Sequence, residues 1–262
     1  MSTFRTEPRR LGTGVASLLL VATALAGCGG AGGPEESPVE PAPTRDTTSP
    51  TPAPASSDVP TASASPRQRP ERGVDVSHHQ GEIDWARVHA DGIGFAYLKA
   101  SEGSGFVDPR FETNARAARR AGLRVGGYHY FTLCSPGAPQ AEHFGDVLDA
   151  ASLLETRVRS MPPAIDLELL GNCADPPARG DLLREVRAFI DVVERRTGQH
   201  VVVYAYPDFE SRYRISNALD RRLWVRRIGR TPPAGDWWMW QRNDHATIDG
   251  ITGPADLNVL AP

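Results

Sequence analysis

The segment PAIDLE, residues 163–168, places two carboxylates one residue apart in an alternation of apolar and acidic side chains. This alternation predicts a short β-strand. Since side chains two positions apart on a strand point to the same side, we expect Asp166 and Glu168 to share one face. Two like charges held together favour protonation of one of them, and a carboxyl group that keeps its proton can act as a general acid. A solvated acidic edge strand is the alternative interpretation of this pattern.

Strand and helix patterns alternate on both sides of this segment. They predict strands at 73–76, 94–100, 124–131, 163–168 and 200–204, and helices at 83–90, 109–121, 138–154 and 179–197. Three further strands, near 223–226, 237–241 and 257–259, have only turns between them. Alternation of strand and helix favours parallel βα units. We therefore expect an α/β barrel that begins as βα units and ends in hairpin-like strands.

Polar residues near the strand ends indicate where a site would form. Four of the predicted strands carry Asp75, Lys99, His129 and Glu168 near their C-terminal ends. In βα barrels these ends converge on one face, where active sites are built. A buried lysine needs a carboxylate partner, so for Lys99 a pairing with Glu102 and a role in the site are equally open. His129 is equally open to interpretation as a hydrogen-bonded core histidine or as a substrate contact.

The first 28 residues have the features of an export signal. A basic opening precedes an apolar run at 15–26, which has the length of a signal h-region and is short for a bilayer span. The run closes with LAGC at 25–28, which resembles a bacterial lipobox. We expect residues 1–28 to be a lipoprotein signal peptide with Cys28 lipidated, in an exported lipoprotein anchored to the outer face of the cell membrane or in the cell envelope. An ordinary signal peptide with an incidental cysteine, or an uncleaved anchor, is the alternative.

The rest of the chain divides into a tether and one domain. Residues 29–71 are mostly Pro, Ser, Thr, Ala and Gly and have too few large apolar residues to offset ordering entropy, so we expect a disordered tether. Residues 72–262 are enough for one domain with a good core. The formal charge of −3 and the scattered arginines give no support for nucleic-acid binding. Cys134 and Cys173 suggest one disulfide in an exported protein, with two unrelated thiols as the alternative.

Short motifs follow one another through residues 72–262 in a fixed order. They are GVDVSHHQ (73–80), IDW (83–85), FAYLKASEG (95–103), VDP (107–109), GYHYF (127–131), QA (140–141), IDLE (165–168), WQ (240–241), GI (250–251) and DLN (256–258). Together they resemble the family 25 glycoside hydrolases, the Chalaropsis-type lysozymes. Each motif alone is weak, whereas the ordered set is highly specific.

The resemblance implies an irregular TIM-like barrel of about five βα units followed by three strands with few helices. It implies a muramidase that hydrolyses β-1,4 bonds between N-acetylmuramic acid and N-acetylglucosamine in peptidoglycan. Glu168 would be the general acid, with Asp166 assisting and with Asp75 and Asp256 completing an acidic floor. The substrate-binding residues would be Tyr128, His129, Tyr204, Trp240 and Gln241. The family is thought to use the substrate's acetamido group as nucleophile, which implies net retention.

The expected partners are peptidoglycan glycan strands and the membrane, which the chain would contact through a lipid on Cys28. The protein is expected to be a monomer. Neither a metal nor an organic cofactor is expected, because the adjacent His78 and His79 diverge and lack zinc-ligand spacing. One of the tryptophans at 237, 238 and 240 is expected to face the cleft as a sugar platform, although all three could be core. Arg226 departs from the family pattern, and one hypothesis is that it recognises the carboxylates of peptidoglycan.

Two other functions fit the same barrel. One is a catalytically inactive peptidoglycan-binding lipoprotein, against which the intact acids count. The other is a hydrolase that acts on another N-acetylhexosamine polymer.

Overall fold

The computed structural model describes residues 70–153 and 160–262. The predicted signal peptide, residues 1–28, lies outside the described residues. So do residues 29–69 of the predicted tether, which spans 29–71. Among the described helices, none is long and apolar enough to cross a membrane.

The described residues form nine β-strands and five α-helices. The strands are β1 (Arg72–Val76), β2 (Ile93–Glu102), β3 (Phe106–Val107), β4 (Arg124–Tyr130), β5 (Ala164–Leu167), β6 (Val202–Ala205), β7 (Leu223–Arg226), β8 (Met239–Ala246) and β9 (Ala255–Leu260). The helices are α1 (Trp85–Ala90), α2 (Phe111–Arg120), α3 (Gly137–Ala150), α4 (Arg179–Thr197) and α5 (Pro207–Tyr213). This order gives five βα units followed by three strands, which confirms the predicted fold class.

Eight of these strands close into a barrel. β1 pairs with β2 on one side and with β9 on the other, and the circle continues through β4, β5, β6, β7 and β8. Neighbours from β1 round to β8 are parallel, whereas β8–β9 and β9–β1 are antiparallel. The short β3 pairs antiparallel with β2. The predicted hairpin-like ending holds for β8 and β9 alone, because residues 227–238 return the chain so that β8 runs parallel to β7.

Side chains alternate between the barrel interior and a layer beneath the helices. The interior is filled by large side chains such as Phe95 and Met239, and on β5 it also receives Ala164. Ile165 and Leu167 belong to the layer that packs against the helices. Burying one large apolar side chain contributes about 1.5–3 kcal/mol, so both layers stabilise the barrel. The predicted alternation of residues 163–168 is therefore confirmed.

Gly73 leaves the space that the ring of Phe95 occupies inside the barrel. A Cβ atom on residue 73 would lie 2.2 Å from that ring, so a larger residue would displace it. The same interior face of β1 carries Asp75 two positions nearer the barrel mouth.

The local sequence predicts helix α4 but not helix α5. Helix α4 has the predicted bounds, because Gly198 adopts the left-handed conformation, with φ of 64°, that ends a helix. Helix α5 was not predicted; it is seven residues long and begins at Pro207, whose missing N–H would be unpaired at a helix start in any case. Helix α5 matters because it carries Asp208, whose charge acts on Glu168.

Candidate active site

The C-terminal ends of the parallel strands open into a cleft of about 420 Å³. The lining residues are Asp75, Ser77, His79, Lys99, Tyr128, Tyr130, Asp166, Glu168, Tyr204, Tyr206, Trp224, Arg226, Gln241, Asp244 and Asp256. Five of these are carboxylates and two are permanent cations, so the cleft is acidic. Seven of the nine residues predicted to be catalytic or substrate-binding lie in this lining.

Asp166 and Glu168 lie together at the end of β5, as the alternation predicts. Asp166 is 9% exposed, and its Oδ1 has no hydrogen-bond partner among the described residues. Glu168 lies one residue beyond the strand and is partly exposed. A buried acceptor without a partner costs free energy. Oδ1 of Asp166 is therefore a position at which a substrate N–H or O–H group would be stabilised.

The ionisation of this pair is set by burial and by neighbouring charges. The pKa of Glu168 is raised to about 7, first by burial and then by the charge of Asp208, while Arg226 lowers it. Burial raises the pKa of Asp166 well above its ordinary value, and the charge of Glu168 raises it further. Since one proton removes the repulsion between the two carboxylates, the pair retains a proton near neutral pH. Glu168 can therefore donate a proton near neutral pH.

Asp75 and Asp256 form a second carboxyl pair, where the barrel closes. They face each other in the antiparallel register of β1 and β9. Oδ2 of Asp75 accepts hydrogen bonds from Nδ2 of Asn258 at 2.7 Å and from Nε2 of Gln241 at 3.3 Å. Burial, followed by the charge of Asp256, raises the pKa of Asp75 well above its ordinary value. Burial, followed by the charge of Asp244, raises the pKa of Asp256 to about 6.

Aromatic side chains orient the amides at the bottom of the cleft. Tyr204 donates from its hydroxyl to Oε1 of Gln241 at 3.0 Å, and Trp224 donates from Nε1 to Oδ1 of Asn258 at 2.8 Å. The rings of Tyr204 and Trp224 meet edge to face with centroids 5.1 Å apart. Burial raises the pKa values of Tyr128 and Tyr204, so both hydroxyl groups remain protonated. Two predicted sugar-binding tyrosines thus face the cleft as neutral hydrogen-bonding groups.

His129 does not reach the cleft, so the prediction that it binds substrate is wrong. Its side chain is fully buried, with Nδ1 2.9 Å from Oγ of Ser101 and Nε2 3.2 Å from Oε1 of Gln140. Its ring stacks on Phe189 with centroids 4.9 Å apart. Burial lowers the pKa of His129 to about 3, so the ring is neutral. The reason for its position is strand alternation, because Tyr128 points into the cleft and its neighbour on β4 points away.

Trp240 also lies outside the cleft, contrary to prediction. It is buried, its Nε1 donates to the backbone oxygen of Arg227 at 2.6 Å, and Trp237 packs against it edge to face. The next residue on β8, Gln241, points into the cleft, so alternation directs Trp240 outward. In the described part of the chain, the tryptophan that lines the cleft is Trp224 on β7, and residues 237, 238 and 240 are not in the lining.

Two cations lie among the acids. Nζ of Lys99 is 2.7 Å from Oε2 of Glu102 and 4.7 Å from the ring centroid of Tyr130, which confirms the structural pairing although Lys99 also lines the cleft. Arg226 donates to the carboxylate of Asp244 at the cleft wall. Because Arg226 already has this carboxylate partner and stands among acids, the structure favours a role in tuning charge over recognition of a second carboxylate.

Sequence reasoning missed several residues of the lining. Tyr130 and Tyr206 each follow a predicted tyrosine by two positions, so strand alternation could have found them. Trp224 lies two positions before Arg226 on the same strand and carried the same signal. Asp244 offered no such signal, because the register between β8 and β9 shifts between Gln241 and Asn243 and again after Asn243.

The two remaining cysteines form the predicted disulfide. Cys134 and Cys173 are bonded, with their Cα atoms 6.0 Å apart, and they join the loop after β4 to the loop after β5. The predicted lipidated residue, Cys28, lies outside the described residues. In the described ranges no group of three or more His, Cys, Asp or Glu side chains is arranged to hold a metal, and Nδ1 of His78 is 2.8 Å from Oδ2 of Asp108.

Glycosidic bonds are hydrolysed by two carboxyl groups of unlike ionisation, one of which protonates the leaving oxygen. Asp166 and Glu168 are two neighbouring carboxyl groups at the mouth of an α/β barrel, an arrangement that favours a glycoside hydrolase. The model of glycosyl hydrolases family 25 matches residues 74–251. The chain belongs to that family.

Similar proteins share the barrel region. An Escherichia coli protein named YegX, described as uncharacterized, is 33% identical over 196 residues, which are 72% of this chain and 68% of that protein. The autolytic lysozyme of Clostridium acetobutylicum is 32% identical over 190 residues, which are 71% of this chain and 55% of that protein. The solved structure of a family 25 glycosyl hydrolase from Bacillus anthracis has a TM-score of 0.65 and 30% identity, covering 76% of this chain and 92% of that chain.

Proposed function

We propose that the protein is a muramidase that hydrolyses the β-1,4 bonds between N-acetylmuramic acid and N-acetylglucosamine in peptidoglycan, for remodelling or catabolism of the cell wall. Membership of glycosyl hydrolases family 25 supports the reaction class, and the similarity to an autolytic lysozyme supports the substrate. The observation that carries the proposal is the unlike carboxyl pair at the end of β5. Glu168 has a pKa of about 7, and beside it Asp166 has a buried oxygen without a partner among the described residues.

In the first step Glu168 donates its proton to the oxygen of the scissile bond, so the leaving sugar departs as a neutral alcohol. The bond between this oxygen and the anomeric carbon breaks, and the carbonyl oxygen of the substrate's own acetamido group bonds to that carbon. Positive charge develops on the acetamido group, and Oδ1 of Asp166 accepts a hydrogen bond from its N–H. Asp166 thereby stabilises a charge that exists fully only after the bond has begun to break.

In the second step a water molecule attacks the anomeric carbon and displaces the acetamido oxygen. The Glu168 carboxylate takes a proton from that water, which restores the acid for the next cycle. Two inversions at one carbon give net retention. A pKa near 7 suits a residue that acts first as acid and then as base.

The second carboxyl pair supplies a fixed negative potential beside the reacting atoms. The charge of Asp75 acts on Asp166, and that of Asp256 acts on Glu168, so both are close enough to influence the site. Negative charge in this position favours a transition state with positive character at the anomeric carbon.

The test is digestion of purified peptidoglycan by the full chain, with the Glu168→Gln variant and an exposed-residue control, Glu112→Gln, beside it. We expect new N-acetylmuramic acid reducing ends, identified by mass spectrometry, from the wild type and the control but not from Glu168→Gln. Chitin fragments digested in parallel separate a muramidase from a hydrolase of another N-acetylhexosamine polymer. Binding without cleavage by every variant would instead indicate a peptidoglycan-binding lipoprotein.

We also propose that Cys28 carries a lipid anchor and that the protein is an exported bacterial lipoprotein, held at the outer face of the cell membrane or in the cell envelope. The support is the apolar run at 15–26 followed by LAGC at 25–28. Cys28→Ser should move the protein from the membrane fraction to the soluble fraction and abolish incorporation of labelled fatty acid. Unchanged fractionation and labelling would refute the anchor without affecting the proposed enzyme activity.

A further inference from the structure

The backbone carbonyl oxygens of Leu167 and Glu168 accept hydrogen bonds from different kinds of donor. The carbonyl oxygen of Leu167 accepts a hydrogen bond from the backbone amide of Tyr206 at 2.9 Å, as expected within a sheet. The carbonyl oxygen of Glu168 accepts instead from a side chain, Nδ2 of Asn172, at 3.2 Å. The backbone that carries the proposed acid is thus held by a loop residue.

Asn172 uses both ends of its amide to join two loops. Nδ2 also donates to the carbonyl oxygen of Phe131 at 2.9 Å. Oδ1 accepts from the backbone amides of Leu133 at 2.6 Å and Cys173 at 3.3 Å. Two donors and two acceptor positions are the full capacity of a primary amide. Among the described contacts, Asn172 therefore connects the loop after β4 to the backbone of Glu168.

The disulfide lies directly beside this amide. Cys173 follows Asn172 in the chain and is bonded to Cys134, which lies in the same loop as Leu133. On the cleft side, Tyr130 donates from its hydroxyl to the carbonyl oxygen of Leu170. Leu170 is 81% exposed, so its side chain contributes little packing to hold the loop. The loop that follows Glu168 is therefore fixed by covalent and polar contacts in addition to the packing of Leu169 and Cys173 against the core.

We propose that Asn172 is a positioning residue for Glu168 and that the Cys134–Cys173 disulfide secures Asn172 in that role. The inference rests on the proposed function of Glu168 as general acid. A displacement of about 1 Å between an acid and its target can cost about a hundredfold in rate. Asn172 acts on the chemistry through the backbone of Glu168 and does not itself contact the reacting atoms.

The experiment compares full-length Asn172→Ala and Asn172→Asp with wild type, with the exposed Asn217→Ala as matched control. Asn172→Asp keeps the size and the acceptor oxygens but loses the two N–H donors, so it should fold even where Asn172→Ala does not. We expect kcat on peptidoglycan to fall about tenfold to a hundredfold in both variants, with KM within about twofold. Since a loosened Glu168 becomes more hydrated, the alkaline limb of the kcat profile should move to lower pH in Asn172→Ala.

A purely structural role would lower the apparent kcat only in proportion to the folded fraction and would not move the pH limb. Circular dichroism melting curves measure the folded fraction, and the Cys134→Ser/Cys173→Ser double variant should show a milder version of the same kinetic change. A folded Asn172→Asp variant with wild-type kcat overturns the inference. Glu168→Gln in the same assay keeps the two proposals apart: its full activity would refute the proposed function, whereas its inactivity beside a normal Asn172→Asp refutes the positioning role alone.

Discussion

The two carboxyl pairs of the cleft consist of the same chemical groups but are held in opposite ways. Asp75 accepts hydrogen bonds from two amides and faces Asp256 in a paired sheet register. Asp166 has an oxygen without a partner in the described part of the chain, and Glu168 lies beyond the last paired residue of its strand. The satisfied pair gives a fixed field, whereas the unsatisfied pair can gain interactions when substrate arrives. The comparison predicts that kcat is more sensitive to changes in the pair whose hydrogen bonds are incomplete.

Replacing one aspartate of each pair should give the largest difference in kcat between the two pairs. Asp166→Asn places an amide where an acceptor for the acetamido N–H is needed, so kcat should fall about a hundredfold, within the range of one electrostatic donor or acceptor. Asp75→Asn keeps an acceptor oxygen for Gln241 and Asn258, and Asp75 touches no reacting atom in the proposed mechanism, so its effect should be about tenfold or less. Steady-state kinetics on soluble peptidoglycan fragments measure both, and equal losses would remove the distinction between the pairs.

Removing a hydrogen bond from the Asp75–Asp256 pair should lower the unfolding free energy more than it lowers kcat. Asn258→Ala removes the donor to Asp75 and leaves Nε1 of Trp224 without its acceptor, so unfolding free energy should fall by about 1–3 kcal/mol. Urea denaturation followed by tryptophan fluorescence measures this loss. The exposed Asn217→Ala is the control and should remain within about 0.5 kcal/mol of wild type. A neutral Asn258→Ala would mean that the amide network does not hold the second pair.

The raised pKa of Glu168 predicts a stability gain when the acid is removed. Its pKa of about 7 in the folded state exceeds the ordinary value of 4.5, so the folded state binds more protons between these pH values and loses stability as pH rises through them. Glu168→Gln should therefore melt a few degrees above wild type at pH 8 and at the same temperature as wild type at pH 4. Calorimetry at both pH values is the measurement, and Glu112→Gln should differ at neither. A Glu168→Gln variant without this pH-dependent gain would contradict the raised pKa.

The smallest expected effect is a shift in the pH dependence of kcat when the charges around Glu168 are changed. Asp208 raises and Arg226 lowers the pKa of Glu168. The alkaline limb of the kcat profile should therefore move to lower pH in Asp208→Asn and to higher pH in Arg226→Gln, each by less than about one unit. Shifts in the same direction would show that the limb belongs to another group.

Strand periodicity predicted the βα order and the carboxyl pair of β5, whereas the family resemblance supplied most of the substrate-binding residues and two that lie outside the cleft. Both members of the adjacent pairs Tyr128–His129 and Trp240–Gln241 were assigned to the substrate, yet a strand presents one of two neighbours to each side. The alternation that correctly united Asp166 with Glu168, if applied to β4 and β8, would have excluded His129 and Trp240. The errors therefore came from carrying over motifs whole, without testing each position against the strand.

Other features could not be read from local sequence. The pairing of Asp75 with Asp256 depends on how β9 closes the barrel against β1, which is a long-range register. Helix α5 is too short for a clear 3.6-residue pattern, so the effect of Asp208 on Glu168 was not foreseen. The shifted register of β8 similarly concealed Asp244.

The position of β9 has a consequence for when the enzyme becomes able to act. Asn258, the principal hydrogen-bond donor to Asp75, follows it by 183 residues, and β9 must insert between β1 and β8 before either contact exists. Contacts of such long sequence separation form late in folding, because their loop-closure entropy is offset only when the rest of the barrel is in place. A chain still being synthesised therefore has the acids of β1 and β5 but no complete site. Enzyme activity would therefore appear in a single late step of folding.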